Sequence, residues 1–359
     1  MEHIVDLGFI EECESWRLDS RFFSSKVGGK PSWLDLKNIP GCDIVKCKKC
    51  NDPCIFLCQI YAPYENDDSG FHRVIFIFVC KNNNCCQDNN SDNFVVLRSQ
   101  LPRENEFYSS DPPVERQDWQ PDITADKWMK ICHVCGLAAP SKCSKCKKIN
   151  YCSRSHQIHD WKNGHKQSCN DTNTDIIDNK SSLLFPEYEL VIESEKISDD
   201  DDGDVKSELE KENKEIEIFN SMLESGNAGS LQNDQDVDAD LLKISTNEED
   251  ENFIDFRAKI NKQPDQVLRY NRGGKPLYIS SKNKINNIPN CEECGGSRQF
   301  EFQIMPQLLN DLELNHELNS LDWGILAIFT CEKSCVPKSG YAKEYLWKQD
   351  IIDTKNDQQ

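Results

Sequence analysis

A chain of 359 residues, 37% of them hydrophobic, with a formal net charge of −20, has room for two or three domains but leaves part of itself unable to build a core. The charge is local: Asn170 to Asn252 holds 26 Asp and Glu against 6 Lys and no Arg, while the rest holds 36 acidic and 36 basic residues and is neutral. The longest apolar run, Val74 to Val79, is far short of a membrane span, and Met1 to Asp6 has no basic stretch leading into an apolar one, so neither a membrane segment nor a secretory signal is expected.

In chain order, residues 1–125 hold short strand-like runs between turns. His72 to Cys80 and Phe94 to Leu101 are rich in β-branched and aromatic residues, Asn82 to Asn93 is polar and turn-forming, and Pro112 to Asp126 has the composition of a connector. A dense cysteine and histidine cluster follows over residues 132–169. Residues 170–252 contain no Cys, no Trp and one Pro, and so much charge with so little apolar surface cannot offset the entropy of ordering. The segment is expected to be disordered, with a transient helix at Asp204 to Leu223 as the one exception. Structure is expected again over 253–350.

The two ends of the chain resemble one another. Gly28-Gly29-Lys30-Pro31 returns as Gly273-Gly274-Lys275-Pro276. Cys47-x-x-Cys50 begins 19 residues after Gly28, and Cys291-x-x-Cys294 begins 18 after Gly273. Gln59 and Gln303 each lie 9 residues past the second cysteine. Both halves then run into an apolar stretch that ends in cysteine, at Cys80 and Cys331, with another cysteine close behind. The expected fold is therefore small, zinc-stabilised and β-rich. Two pseudo-repeated β units (1–125 and 253–350) form one bipartite domain, with a finger and an acidic segment inserted between them.

Nineteen cysteines call for disulfides in an oxidising compartment or metal in a reducing one. The missing secretory signal points to cytosol or nucleus, and most cysteines sit in Cys-x-x-Cys pairs, so metal is the expectation. Eight donors in residues 132–169 suffice for two tetrahedral zinc sites. Interleaved, these are Cys132, Cys135, Cys152 and His156, then Cys143, Cys146, His165 and Cys169, with His159 as an alternative to His156. One further zinc is expected in each β unit. The N-terminal one is assigned to Cys47, Cys50, Cys80 and Cys85 (Cys86 the alternative), and the C-terminal one to Cys291, Cys294, Cys331 and Cys335.

The spacing over 132–169, with Tyr151-Cys152-Ser153 and Asp160-Trp161, resembles the MYND finger, which commonly has Cys where His156 stands. Gln59 to Tyr64, Phe71-His72-Arg73, Gln100 to Tyr108, Gln266 to Gly274, Phe300 to Leu309, Leu321 to Gly324 and Trp347 to Asp350 resemble the programmed cell death protein 2 family. That resemblance implies a non-enzymatic, cytoplasmic escort for a nascent small-subunit ribosomal protein, the eukaryotic number two of the S-five type, in small-subunit assembly. The nucleus is a second possible location.

An acidic segment suits such a basic client by long-range attraction. The alternative function is a peptide-binding adaptor in transcriptional or cell-death regulation, taking proline-containing peptides at Gln157 and Trp161. Nucleic acid ranks third, since the finger's positive charge is modest. No catalytic residue is expected: four protein ligands per zinc leave no place for a reacting water, and neither glycine pair opens a phosphate loop.

Overall fold

Alternating side chains and a wealth of β-branched and aromatic residues set the strands. The computed structural model describes residues 5–64, 67–169, 181–195, 250–314 and 321–351. Its strands are β1 (Asp6–Glu11), β2 (Lys26–Val27), β3 (Ile55–Tyr61), β4 (His72–Val79) and β5 (Phe94–Leu101), then β6 (Ser141–Lys142), β7 (Asn150–Tyr151) and β8 (Tyr188–Ser194). The C-terminal strands are β9 (Leu268–Tyr270), β10 (Arg298–Ile304), β11 (Ile325–Cys331) and β12 (Tyr341–Gln349). All except β6 and β7 form one closed antiparallel barrel, in the order β1-β8-β2-β3-β4-β5-β12-β11-β10-β9.

Both ends of the chain contribute to this barrel. Strands β5 and β12 meet edge to edge, with Tyr341 opposite Ser99 and Glu344 opposite Val96. On the other side β1 pairs with β9. Joining the halves removes edges that either would leave unpaired. Matching irregularities sit in both halves: β3 bulges between Phe56 and Cys58, and β10 between Phe300 and Phe302. Gln59 accepts from the Ser32 amide at 2.9 Å, and Gln303 accepts from the Leu277 amide at 2.6 Å. Ser32 and Leu277 are the residues that follow the two Gly-Gly-Lys-Pro turns.

Strand parity divides the core. Ile75, Ile77 and Val79 point into the barrel with Phe302, Ile304, Leu326 and Ile328. Val74, Phe76 and Phe78 point outward, where Trp33, Leu34, Leu36 and the finger cover them. On the C-terminal side helix α2 (Glu251–Lys262) lays Phe256 and Ile260 against Ile279, Met305 and Ile325. (Helix α1, Arg154–Asp160, belongs to the finger.) One end of the interior is charged. There Arg73 donates to Glu301 at 2.7 Å, both side chains fully removed from solvent, and Tyr270 donates to the same carboxylate at 2.9 Å.

Strand β8 corrects the expectation that residues 170–252 are disordered. It lies inside that range yet pairs with β1 along Asp6–Glu11 and with β2 at Lys26 and Val27. Its period-2 pattern buries Leu190, and Phe185 just before it is also buried. The carboxylates at its ends reach two cations that are themselves buried: Glu187 pairs with Lys26, and Glu195 pairs with Arg269 at 2.9 Å. The preceding strap presses on the first Gly-Gly turn. Gly29 donates to the Phe185 carbonyl, and a Cβ on Gly28 (φ +67°) would stand 1.7 Å from the Pro186 carbonyl oxygen. Local composition disfavours order here, and distant partners outweigh it. Residues 250–252 are likewise ordered, as the cap and first turn of α2, whereas the helix expected at Asp204 to Leu223 lies outside the described residues.

Candidate metal centres

Each Cys-x-x-Cys pair is built on the same turn. The amide four residues after the first cysteine donates back to that cysteine's carbonyl, from Asn51, Gly136, Lys147 and Gly295, at 2.8–3.0 Å. Those four residues all have positive φ, between 58° and 74°. The first cysteine's amide donates in turn to Asp52, Leu137, Ile149 or Gly296. The turn points both sulfurs to one side, and β4 and β11 deliver Cys80 and Cys331 opposite them.

Four sets of donors converge, and within each the donor atoms lie within 4.8 Å of one another. They are Cys47, Cys50, Cys80 and Cys85; Cys132, Cys135, Cys152 and His156; Cys143, Cys146, His165 and Cys169; and Cys291, Cys294, Cys331 and Cys335. Close approaches include Cys50 to Cys80 at 3.6 Å, Cys135 to Cys152 at 3.6 Å, Cys143 to Cys169 at 3.9 Å and Cys294 to Cys331 at 3.6 Å. A tetrahedron with zinc–sulfur bonds of about 2.3 Å has edges of roughly 3.8 Å, so the spacing and the donor chemistry both fit zinc. All nineteen cysteines are free of disulfides. Sets of four donors fill a tetrahedral ion and leave no position for a reacting water, which is the chemistry of a structural site.

In the finger, β6 and β7 pair, and helix α1 (Arg154–Asp160) starts at Ser153, whose hydroxyl accepts from the His156 amide at 3.2 Å. This cap turns His156 Nδ1 toward Cys152 at 3.3 Å and Cys132 at 3.8 Å. The helix breaks at Gly164 (φ 149°), and His165 then brings Nε2 to 3.6 Å from Cys146. Burial holds the His165 imidazole below its usual range, which keeps it neutral as a ligand must be. His159 faces Ser181 at 3.2 Å, outside the donor sets.

The remaining cysteines are set apart by their surroundings. Cys86 sits between Lys348 and the Asp322 carbonyl, so Cys85 is the one that faces Cys47, Cys50 and Cys80. Burial pushes the Cys54 and Cys58 thiols well up, and Cys13 and Cys42 are raised for the same reason. Such thiols stay protonated.

Of the two peptide-contact candidates, Gln157 is half-buried on α1. Trp161 is half-buried at the α1 end, with its ring edge-on to His165 at 5.8 Å and under the Lys145 ammonium at 5.8 Å. Sequence reasoning missed how firmly the finger is seated. Trp33 Nε1 donates to the Gly136 carbonyl at 2.8 Å, Ala138 donates to Pro40 at 3.0 Å, and the Cys42 thiol donates to the Cys152 carbonyl at 3.1 Å. Val134, Leu137 and Tyr151 share one apolar core with Trp33, Phe76 and Phe78. No short-range pattern announces such a seam. The nearest hint is the segment Trp33-Leu34-Asp35-Leu36, which carries three large apolar side chains beside a turn.

Residues 4–115 match the family model for programmed cell death protein 2, N-terminal domain, residues 250–350 that for its C-terminal putative domain, and residues 132–169 the MYND finger. The chain is 42% identical over 358 residues to programmed cell death protein 2 of Mus musculus, covering 98% of this chain and 97% of that one. It is 27% identical over 379 residues to programmed cell death protein 2-like of Gallus gallus, covering 98% and 96%. It is also 24% identical over 397 residues to the probable 20S rRNA accumulation protein 4 of Schizosaccharomyces pombe, covering 90% and 92%. No solved structure matches.

Proposed function

Because the chain belongs to the programmed cell death protein 2 family, we propose that it is a non-enzymatic, zinc-stabilised escort that holds a basic small-subunit ribosomal protein, of the S-five type, until it joins the assembling small subunit. The observation that carries this reading is the near-full-length similarity to a protein whose name refers to rRNA accumulation. The rest is physical. A basic client attracts the wrong polyanions before assembly, and a segment of net charge −20 competes with them and speeds encounter at low salt.

In this reading four zinc ions, two in the finger and one in each half, are structural. The halves are copies of one unit, as the matching bulges and the Gln59 and Gln303 contacts suggest. The escort works in the cytoplasm, with the nucleus as a second location that imaging of the tagged protein would test.

The adaptor reading has one specific support, the half-buried Trp161 with the Lys145 ammonium over its ring, four residues after the half-buried Gln157. Because the finger shares its core with the barrel, deleting it would expose Trp33 and would not discriminate. The test uses point variants: Gln157→Ala with Trp161→Ala for the adaptor, and Cys291→Ser with Cys294→Ser for the escort. Each is affinity-purified from growing cells at two salt concentrations, and the co-purifying proteins are identified. The escort reading expects a ribosomal protein that survives the finger variant, is lost with the cysteine variant, and binds more weakly in salt. A partner lost only with the finger variant would establish the adaptor instead.

A further inference from the structure

The C-terminal donor set is braced by three buried charged side chains that touch every segment carrying its cysteines. Arg98 on β5 donates through Nε to Glu344 on β12 at 2.7 Å, and Arg298 on β10 donates to the same carboxylate at 2.9 Å. All three side chains are at most 2% exposed. From this triad the arms run outward. Arg298 Nη1 donates to the carbonyls of Pro289 at 2.9 Å and Asn290 at 2.7 Å, immediately before Cys291. The Cys331 amide donates to Glu344 Oε2 at 3.1 Å. Arg98 donates to the Cys335 carbonyl at 2.9 Å and lies 3.7 Å from the Cys335 sulfur.

The N-terminal set lacks this device. Glu344 stands thirteen residues after Cys331 (344 − 331), and the residue thirteen after Cys80 (93 − 80) is Asn93. Arg298 stands four after Cys294, and four after Cys50 is Cys54. There the Cys80 amide meets only the Asn93 carbonyl, at 2.9 Å, and the Cys54 thiol approaches the same oxygen at 3.8 Å. One site is held by neutral groups, the other by ions.

Charge explains why ions would be placed there. Four thiolates around a zinc ion carry a net charge of about −2. Two arginines and one glutamate carry a net charge of about +1, in surroundings where unpaired charge is expensive. The triad is thus better compensated when the metal is bound than when the four sulfurs are protonated. Arg98 comes from the N-terminal half and the other two residues from the C-terminal half, across the β5–β12 seam.

We infer that Arg98, Glu344 and Arg298 are positioning residues for zinc at the C-terminal site, coupling its metal affinity to closure of the seam between the halves. The inference rests on the zinc reading of Cys291, Cys294, Cys331 and Cys335. Outer partners of this kind typically govern metal affinity by about ten- to hundredfold.

The test uses the zinc-loaded full chain with Glu344→Gln and Arg98→Met, Arg98→Lys as the conservative variant, and Arg269→Lys as a control, since Arg269 pairs with Glu195 and Gln266, away from the ligand segments. A chelator competes for zinc, and isotope-coded alkylation read by mass spectrometry reports which cysteines become accessible. Cobalt loading reports the thiolate-to-metal bands. In Glu344→Gln and Arg98→Met, zinc at Cys291, Cys294, Cys331 and Cys335 is expected to weaken about ten- to hundredfold. The other donor sets stay protected, Arg98→Lys recovers part of the loss, and the cobalt bands shift. Unchanged affinity, loss spread evenly over all four sets, or an equal loss in Arg269→Lys would overturn the inference. If the unaltered chain holds no zinc at these four cysteines, the zinc reading itself fails and takes the inference with it.

Discussion

Arg73 and Glu301 face one another across the barrel interior, from β4 in one half and β10 in the other, and neither side chain has any solvent exposure. Burial alone would raise the Glu301 carboxyl. The Arg73 guanidinium and the Thr330 hydroxyl outweigh it and hold the group down to about 2. Losing one member leaves the other charge buried without compensation.

Glu301→Gln is therefore expected to destabilise the chain by about 3–5 kcal/mol. Replacing both partners, Arg73→Met with Glu301→Leu, should cost much less than the sum of the single changes. Urea unfolding of the four proteins as a double-mutant cycle reads this out. Additive losses would show that the two residues do not act as a pair.

Strand β8 should depend on its terminal carboxylates. Glu187→Gln leaves Lys26 buried with its charge partner gone, and Glu195→Gln does the same to Arg269. Each change is expected to cost about 1.5–3 kcal/mol, the range of a charged hydrogen bond. Hydrogen exchange should speed first in residues 188–194 and in the facing β1 amides. Exchange that rises uniformly over the barrel would count against a closing role for β8.

Acid should unfold the protein in two steps of the same sign. Burial, with Arg103 nearby, holds the His72 imidazole down to about 4 from an ordinary 6.5, while its ring stacks on Phe23 at 4.1 Å and accepts from or donates to Tyr61. Between those values the unfolded chain binds the proton and the folded one does not, so stability falls as pH drops from 6.5 towards 4. Glu301 adds a further loss between about 4.5 and 2, where the unfolded carboxylate protonates before the folded one. His72→Gln should flatten the first window and leave the second. An unchanged slope above pH 4.5 would remove His72 from the account.

Native mass spectrometry is expected to find four zinc ions per chain, and three for Cys294→Ser. Because zinc binding contributes folding energy directly, chelation should melt the barrel as well as the finger. A count of two, with the barrel unaffected by chelator, would confine zinc to the finger.

Short-range pattern was enough for the Cys-x-x-Cys turns. A Cys-x-x-Cys turn places its own two sulfurs through hydrogen bonds within six residues, so spacing alone reveals it, and β4 and β5 show in their apolar runs for a similar reason. Strand β8 escaped because its glutamates count as charge in a composition window. Their partners, Lys26 and Arg269, lie 161 and 74 residues away. Arg98, inside the strand-like run Phe94 to Leu101, carries no local sign of which carboxylate it meets, because Glu344 lies 246 residues away.

By itself the sequence determined what local chemistry can determine: the four Cys-x-x-Cys knuckles, the run of donors over residues 132–169, and the repetition of one Gly-Gly-Lys-Pro motif at Gly28 and Gly273. The sequence led to the expectation of one bipartite β domain; tertiary structure alone decided that it closes into a barrel, that β8 completes it, and that the finger shares its core. Those outcomes rest on pairing unsatisfied strand edges and compensating buried charges between residues far apart in the chain. Such terms have no magnitude until the partners meet, and here they exceed the local preference of a highly acidic segment for remaining unfolded.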